Sequence, residues 1–175
     1  MDSEEFRRHA HAAVDWMADY LRDVASLPVT PDVRPGDTLR RLPAAAPESA
    51  EPFDQQFADF QRLIVPGMTH WNHPGWHAYF PGNNSPPSVL AEMLTATMGA
   101  QCMSWITSPA ATELEQKVMD WLRQMMRLPD VYIGSIQDTA STATLVALLS
   151  ARERATAGRS GQAGMAGGPA LTVYA

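Results

Sequence analysis

The chain has 175 residues, 45% of them hydrophobic and 18% charged, with a formal net charge of −6. That length allows one domain with a real core, or one domain with a helical extension, and the low charged fraction points to surface covered from within or by a partner. The acidic balance, without any cluster of Lys or Arg, argues against a nucleic-acid-binding face, and Lys117 is the only lysine.

Residues 2–27 read as an amphipathic helix. Asp2 with Glu5 makes an acidic box at its start, and Phe6, Ala10, Ala13, Val14, Met17, Leu21 and Val24 form one apolar stripe. His9 and His11 lie near or off the edge of that stripe and are expected in solvent, and Pro28 and Pro31 end the helix. Residues 28–52 are rich in proline outside any periodic pattern, which predicts an extended connector. A short helix follows with Phe53, Phe57, Phe60, Leu63 and Ile64 on one face, stopped by Val65-Pro66-Gly67. Two helices and a strap cannot enclose a core, so residues 1–65 must lie against another body.

His70–Pro81 gathers three histidines, two tryptophans, a tyrosine and a phenylalanine, and is broken by Pro74-Gly75 and Pro81-Gly82. It reads as a loop forming the wall of a pocket. Ser85-Pro86 opens a helix with Val89, Leu90, Met93, Leu94 and Thr97 inward, ending near Gly99. Ser108-Pro109 repeats the signal for a helix with a buried stripe of Leu114, Val118, Trp121, Leu122 and Met125, closed by Leu128-Pro129-Asp130. Val131–Ile136 is a strand or a link. Residues 141–157 form a further helix, 158–168 a loop with five glycines, and Leu171–Ala175 a strand. Helix, loop and strand in that order begin an α/β alternation.

Several constellations could carry chemistry. His70, His73 and His77 offer imidazoles, but Pro74 prevents the helical spacing that zinc sites favour and no cysteine or carboxylate lies at ligand spacing; packed histidines are the expectation, with no metal. In Gln137–Thr144, small and hydroxyl residues precede an apolar helix, where free N–H groups and hydroxyls suit a phosphate; an ordinarily capped helix fits the same residues. Cys102 has no activating base beside it, there is no Gly-x-Ser-x-Gly elbow, and a lone cysteine excludes an internal disulfide. The N-terminus is acidic from its second residue, without a visible signal peptide, and no apolar run reaches transmembrane length, so a soluble cytoplasmic protein is expected.

Taken together, Pro66-Gly67-Met-Thr-His70-Trp71-Asn-His-Pro74, Ala78-Tyr79-Phe80-Pro81, Ser104-Trp105, Ser108-Pro109-Ala-Ala-Thr112-Glu113-Leu114-Glu115, Met119-Asp120-Trp121-Leu122 and Gln137-Asp-Thr-Ala140-Ser141-Thr-Ala-Thr144-Leu145 run in the order found in the group II decarboxylases. The chain resembles the N-terminal part of the aromatic-L-amino-acid decarboxylases of that family, which depend on pyridoxal 5′-phosphate. The resemblance implies an α/β fold of the fold-type-I class, in a homodimer whose N-terminal helices wrap the partner, with residues 1–84 as the dimerising segment bearing the aromatic loop and 85–175 as the start of the cofactor-binding domain. This chain itself would be mostly helical.

By the same resemblance, Thr139, Ala140 and Ser141 match the phosphate-binding turn, and Trp71, Tyr79, Phe80 and Pro81 line the substrate pocket. Gln101 and Met103 match positions that reach the pocket from the neighbouring subunit. Gly82 and Gln101 replace the Thr and Ile of better-known animal members at positions that touch substrate, which makes Gly82 a specificity variable; the link from Pro129 to Gln137 is also shorter than usual. The implied activity is decarboxylation of an aromatic L-amino acid to its amine and carbon dioxide. An aldehyde synthase on the same scaffold, or a non-catalytic dimerisation fragment, are the alternatives. The family's cofactor-bearing lysine, its ring-stacking histidine, its pyridine-pairing aspartate and its mobile loop have no counterpart here, and Lys117 lies in a motif without a cofactor role. The chain is thus expected to be a fragment with no catalytic residue of its own.

Overall fold

The computed structural model describes every residue except Pro81, Asn83 and Ala175. It is helical, and divides into two compact units, Met1–Leu94 and Thr95–Ala175.

In the first unit, α1 spans Ser3–Asp23 and continues as a 3-10 turn over Val24–Ser26. Its start is the acidic box in both directions: Asp2 accepts from the N–H groups of Glu4 and Glu5 at 2.9 and 2.8 Å, and the Glu5 carboxylate accepts from the Asp2 N–H at 2.9 Å. That last bond holds the Glu5 carboxyl below its ordinary range. Most of the apolar stripe of α1 is covered: Ala10, Ala13, Met17 and Leu21 are half-buried and Val24 is buried. Phe6 and Val14 are exposed, whereas Trp16 packs edge-on against Phe57 and Phe60 with centroids at 6.3 and 5.2 Å. His9, expected in solvent, is buried: its ring lies 4.8 Å from that of Phe53 and its Nδ1 is 3.0 Å from Asp54 Oδ1. Periodicity reveals which face is apolar; the phenylalanines of the next helix decide which face is covered.

Those phenylalanines belong to α3, Phe53–Asp59, which runs on as a π turn, Phe60–Ile64, and a 3-10 turn, Val65–Gly67. Phe53, Phe57 and Phe60 stack in succession along it, as the spacing predicts. The connector before it is not wholly extended. A one-turn helix, α2, forms at Asp37–Arg41, entered through Gly36 at φ +91°, a conformation that glycine adopts freely. Arg41 then donates to the carbonyl of Arg62 at 2.8 Å, fastening the connector to the π turn.

The next helix, α4, spans Pro86–Met98 and opens where Ser85 and Ser88 exchange backbone-to-hydroxyl bonds of 3.0 and 3.4 Å. Val89 and Met93 are half-buried, but Leu90, Leu94 and Thr97 are exposed rather than inward. In the second unit, α5 spans Pro109–Met125 with Pro109 in its first turn. It ends as Arg127 turns left-handed, φ +55°, and the Leu128 N–H reaches the Arg123 carbonyl at 3.0 Å. The stripe expected to be buried, Leu114 to Met125, is exposed throughout. What is covered is the neighbouring row, Glu115, Met119 and Arg123, over which the following link is laid.

The helix α6 spans Ala140–Ala155 and a short α7 spans Ser160–Ala163 within the glycine-rich stretch. There the Ser160 hydroxyl donates to Glu153, and with Arg152 it holds that carboxyl below its usual range. Among the described residues there is no β-strand. Leu171–Tyr174 therefore departs from its expected strand character, while Val131–Ile136 is a link, one of its two expected forms; a strand exists only as part of a ladder, and no described segment pairs with either.

Hydrophobic burial is slight. Val24 and Leu63 are the only apolar side chains buried among the described residues. The chain exposes 14358 Å², whereas a compact monomer of this mass exposes about 8,400 Å². Exposed apolar stripes run along α4, α5 and α6.

Candidate functional site

The aromatic loop is a cluster centred on Trp71. Tyr79 stacks on it at 5.9 Å and 11°, Trp76 lies 5.0 Å away at 38°, and Phe80 meets it edge-on at 6.1 Å and 64°. In an extended chain residues 79 and 80 would point to opposite sides. Both reach Trp71 because Tyr79 adopts φ +57°, a strained setting for a bulky side chain. Gly82 closes against the same ring: a Cβ there would meet Trp71 Cε3 at 3.5 Å, an ordinary contact. Pro81, assigned to this wall by sequence, lies outside the described residues. Trp76 was not assigned to the wall, yet it packs on both Trp71 and Tyr79, and its indole N–H is buried without an acceptor among the described residues. Its signal was the second tryptophan of a short loop.

The histidines hold this loop in place. His70 is 5% exposed; its Nδ1 shares a 2.8 Å hydrogen bond with the Tyr20 hydroxyl, and its N–H donates to Val29 O at 3.0 Å. Burial pushes the Tyr20 phenol up, keeping its proton in place for that bond. At His73, Nδ1 accepts from the Gly75 N–H at 2.8 Å and Nε2 faces the Ala25 carbonyl at 3.2 Å. Those two partners require the neutral tautomer protonated at Nε2. His77 is exposed. The His70 and His73 rings thus engage different partners, and among the described residues no group of His, Cys, Asp or Glu is placed to hold a metal ion.

The second feature is the start of α6. Thr139 is its N-cap: Oγ1 accepts from the Thr142 N–H at 3.1 Å and the Thr139 carbonyl accepts from the Ala143 N–H at 2.9 Å. The N–H groups of Ala140 and Ser141 have no acceptor within the described chain, and Thr139, Ala140 and Ser141 are all exposed. Two free backbone donors, the Ser141 hydroxyl and the positive end of a 16-residue helix make a donor set that suits a phosphate group. Gln101 and Met103 lie in the turn-rich segment between α4 and α5, both exposed, and Trp105 in that segment donates to Glu113 of α5 at 3.1 Å. Cys102 is exposed and free, and Lys117 projects from an exposed position on α5.

Residues 35–166 match the model of the pyridoxal-dependent decarboxylase conserved domain, which is three-quarters of the chain. The chain belongs to the pyridoxal-dependent decarboxylase family. Among its relatives, the aromatic-L-amino-acid decarboxylase of Cavia porcellus is 46% identical over 162 residues, covering 88% of this chain and 34% of the relative. The Oryza sativa TDC, solved with PLP and tryptamine, superposes with a TM-score of 0.85 at 38% identity, over 95% of this chain and 35% of that one. The 4-hydroxyphenylacetaldehyde synthase of Rhodiola rosea gives 0.82 at 36% identity, over 90% and 35%. The chain therefore spans about a third of the length of the relatives it matches.

Proposed function

We propose that this chain is the substrate-recognition and phosphate-anchoring part of a pyridoxal 5′-phosphate-dependent decarboxylase acting on an aromatic L-amino acid, within the α/β fold-type-I architecture. The observation that carries this reading is the donor set at the start of α6, with Ala140 N–H, Ser141 N–H and the Ser141 hydroxyl unengaged by the chain itself. The bound cofactor supplies an electron sink for the charge left as the substrate carboxylate departs as carbon dioxide. Ser141 binds the phosphate directly, while Thr139 fixes the first turn of α6 so that the free N–H groups converge. Trp71, Trp76, Tyr79 and Phe80 bind and orient the aromatic side chain and exclude water from it, with Gly82 setting the room left beside Trp71. Gln101 and Met103 complete recognition from the neighbouring subunit of a homodimer, a reading supported by the uncovered apolar stripes.

The two hydroxyls give separable tests. Ser141→Ala removes a direct donor and weakens cofactor retention about tenfold, as expected for one bond to a charged group. Thr139→Ser keeps the cap and keeps retention; Thr139→Ala loses both. Equilibrium dialysis of pyridoxal phosphate with the intact enzyme measures this, and unchanged retention in Ser141→Ala refutes the cradle.

The likeness to an aldehyde synthase supports a second reading, oxidative deamination accompanying decarboxylation. Oxygen uptake with release of ammonia and peroxide alongside carbon dioxide selects it; amine and carbon dioxide alone select the decarboxylase.

A further inference from the structure

The segment that leads into the α6 turn is tied to α5 at three successive levels. At the first, Arg123 donates to the Leu128 carbonyl at 3.1 Å and to Asp130 at 2.6 Å, while Asp120 braces its guanidinium at 2.8 Å. One helical turn back, Gly134 lies against Met119 so closely that a Cβ would come within 3.0 Å of Sδ and 3.1 Å of Cβ. A further turn back, the Glu115 carboxylate accepts from the Ile136 N–H at 2.6 Å, across 21 positions of sequence. Glu115, Met119 and Arg123 are spaced by four, so they share one face of α5. All three are half-buried, whereas the apolar stripe beside them is exposed.

The last of these ties is the one nearest the anion site. Ile136 is three residues before Thr139, with Gln137 and Asp138 between, and these two lie outside any regular element. Ile136 is exposed, so apolar packing of its own side chain does not fix the segment at this point. A charged acceptor bonded to a backbone N–H is the stronger class of hydrogen bond. It therefore sets where the chain enters α6, and with it the direction in which the N–H groups of Ala140 and Ser141 point.

We propose that Glu115 is a positioning residue for the phosphate cradle, acting through the Ile136 N–H and making no contact with the cofactor itself. The inference rests on the reading of Thr139–Ser141 as that cradle. The Glu115 Oε1 is engaged by the protein's own backbone. Its neighbour two positions back, Glu113, accepts instead from the Trp105 indole N–H at 3.1 Å.

The test compares Glu115→Leu with Glu115→Gln in the intact enzyme, since Gln keeps an acceptor oxygen for the Ile136 N–H and Leu does not. Glu115→Leu is expected to weaken pyridoxal phosphate binding about tenfold, the weight of one charge-assisted bond, and Glu115→Gln to recover most of it. Hydrogen exchange at the Ile136 amide, read in the protein freed of cofactor, is expected to be slow in the wild type and Glu115→Gln and fast in Glu115→Leu. Ser141→Ala runs in parallel. If Ser141→Ala weakens binding and Glu115→Leu does not, the positioning role is overturned while the cradle stands. If Ser141→Ala is itself silent, the cradle reading falls and the proposal with it. Should Glu115→Leu fail to fold, the amide protection in the wild type and its retention in Glu115→Gln decide the matter: an unprotected Ile136 amide in the wild type overturns the proposal.

Discussion

Removing one oxygen atom, in Tyr20→Phe, tests how the aromatic wall is held. The Tyr20 hydroxyl lies 2.8 Å from His70 Nδ1, and His70 is 5% exposed, so water has little access to replace the lost partner. The ring contact itself, at a centroid separation of 5.6 Å, is preserved by phenylalanine. What changes is a buried ring nitrogen left unsatisfied, which costs about 1–3 kcal/mol. Because Trp71 follows His70 directly, the indole cluster should register the loss as well. Urea denaturation of the intact enzyme measures the first effect and near-ultraviolet circular dichroism of the indole bands the second. A cycle with His70→Leu isolates the pair: Tyr20→Phe should cost little once His70 is gone, giving a coupling energy of about 1–3 kcal/mol. Additive costs, or a Tyr20→Phe variant indistinguishable from wild type in both measurements, would refute the argument that this bond anchors the wall to α1.

Other expectations follow from single contacts. Gly134→Ala forces a methyl against Met119 and should destabilise by about 1–3 kcal/mol, with Met119→Ala in the same chain recovering part of it, read by the same denaturation assay. The Arg123 guanidinium holds the Asp120 carboxyl below its usual range. Stability from that pair is thus complete above the ordinary aspartate value, about 3.9, and is lost as the pH falls below it through the lowered native value. The stability difference between wild type and Asp120→Asn should be flat at neutral pH and shrink only in that acid range. At Gly82 a methyl makes an ordinary contact with Trp71, so Gly82→Ala should change stability by less than about 0.5 kcal/mol. Its kcat/KM for an indole-bearing substrate relative to a phenol-bearing one should fall by about tenfold, the discrimination that a methyl group in an apolar pocket supports.

Local signals in the sequence were reliable where local physics decides the outcome. Asp2 and Glu5 cap α1, Ser85-Pro86 and Ser108-Pro109 start α4 and α5, and Thr139 caps α6, because each of these is settled within about four residues. That His70–Phe80 is an aromatic loop rather than a regular element was equally legible, since prolines and glycines exclude any long helix or strand through it.

Which faces are covered was not legible, because burial depends on what lies opposite. His9 looks solvated along its own helix and is buried only because Phe53 and Asp54 come to it from α3. The apolar stripe of α5 announces a core, yet the face the chain itself covers is Glu115, Met119 and Arg123, chosen by a link whose backbone needs an acceptor at Ile136 and whose glycine fits beside Met119. Leu171–Tyr174 carries strand composition but no ladder, since strand propensity becomes a strand only when another segment offers its N–H and C=O groups. The sequence by itself determined the longer helices, where they start, and the chemical character of the aromatic loop and of the α6 turn, but not the short α2 and α7. Only the tertiary structure decided that Tyr20 and His73 fasten that loop and that α5 steers that turn, because hydrogen bonds spanning 21 to 50 positions leave no periodic trace in the chain that makes them.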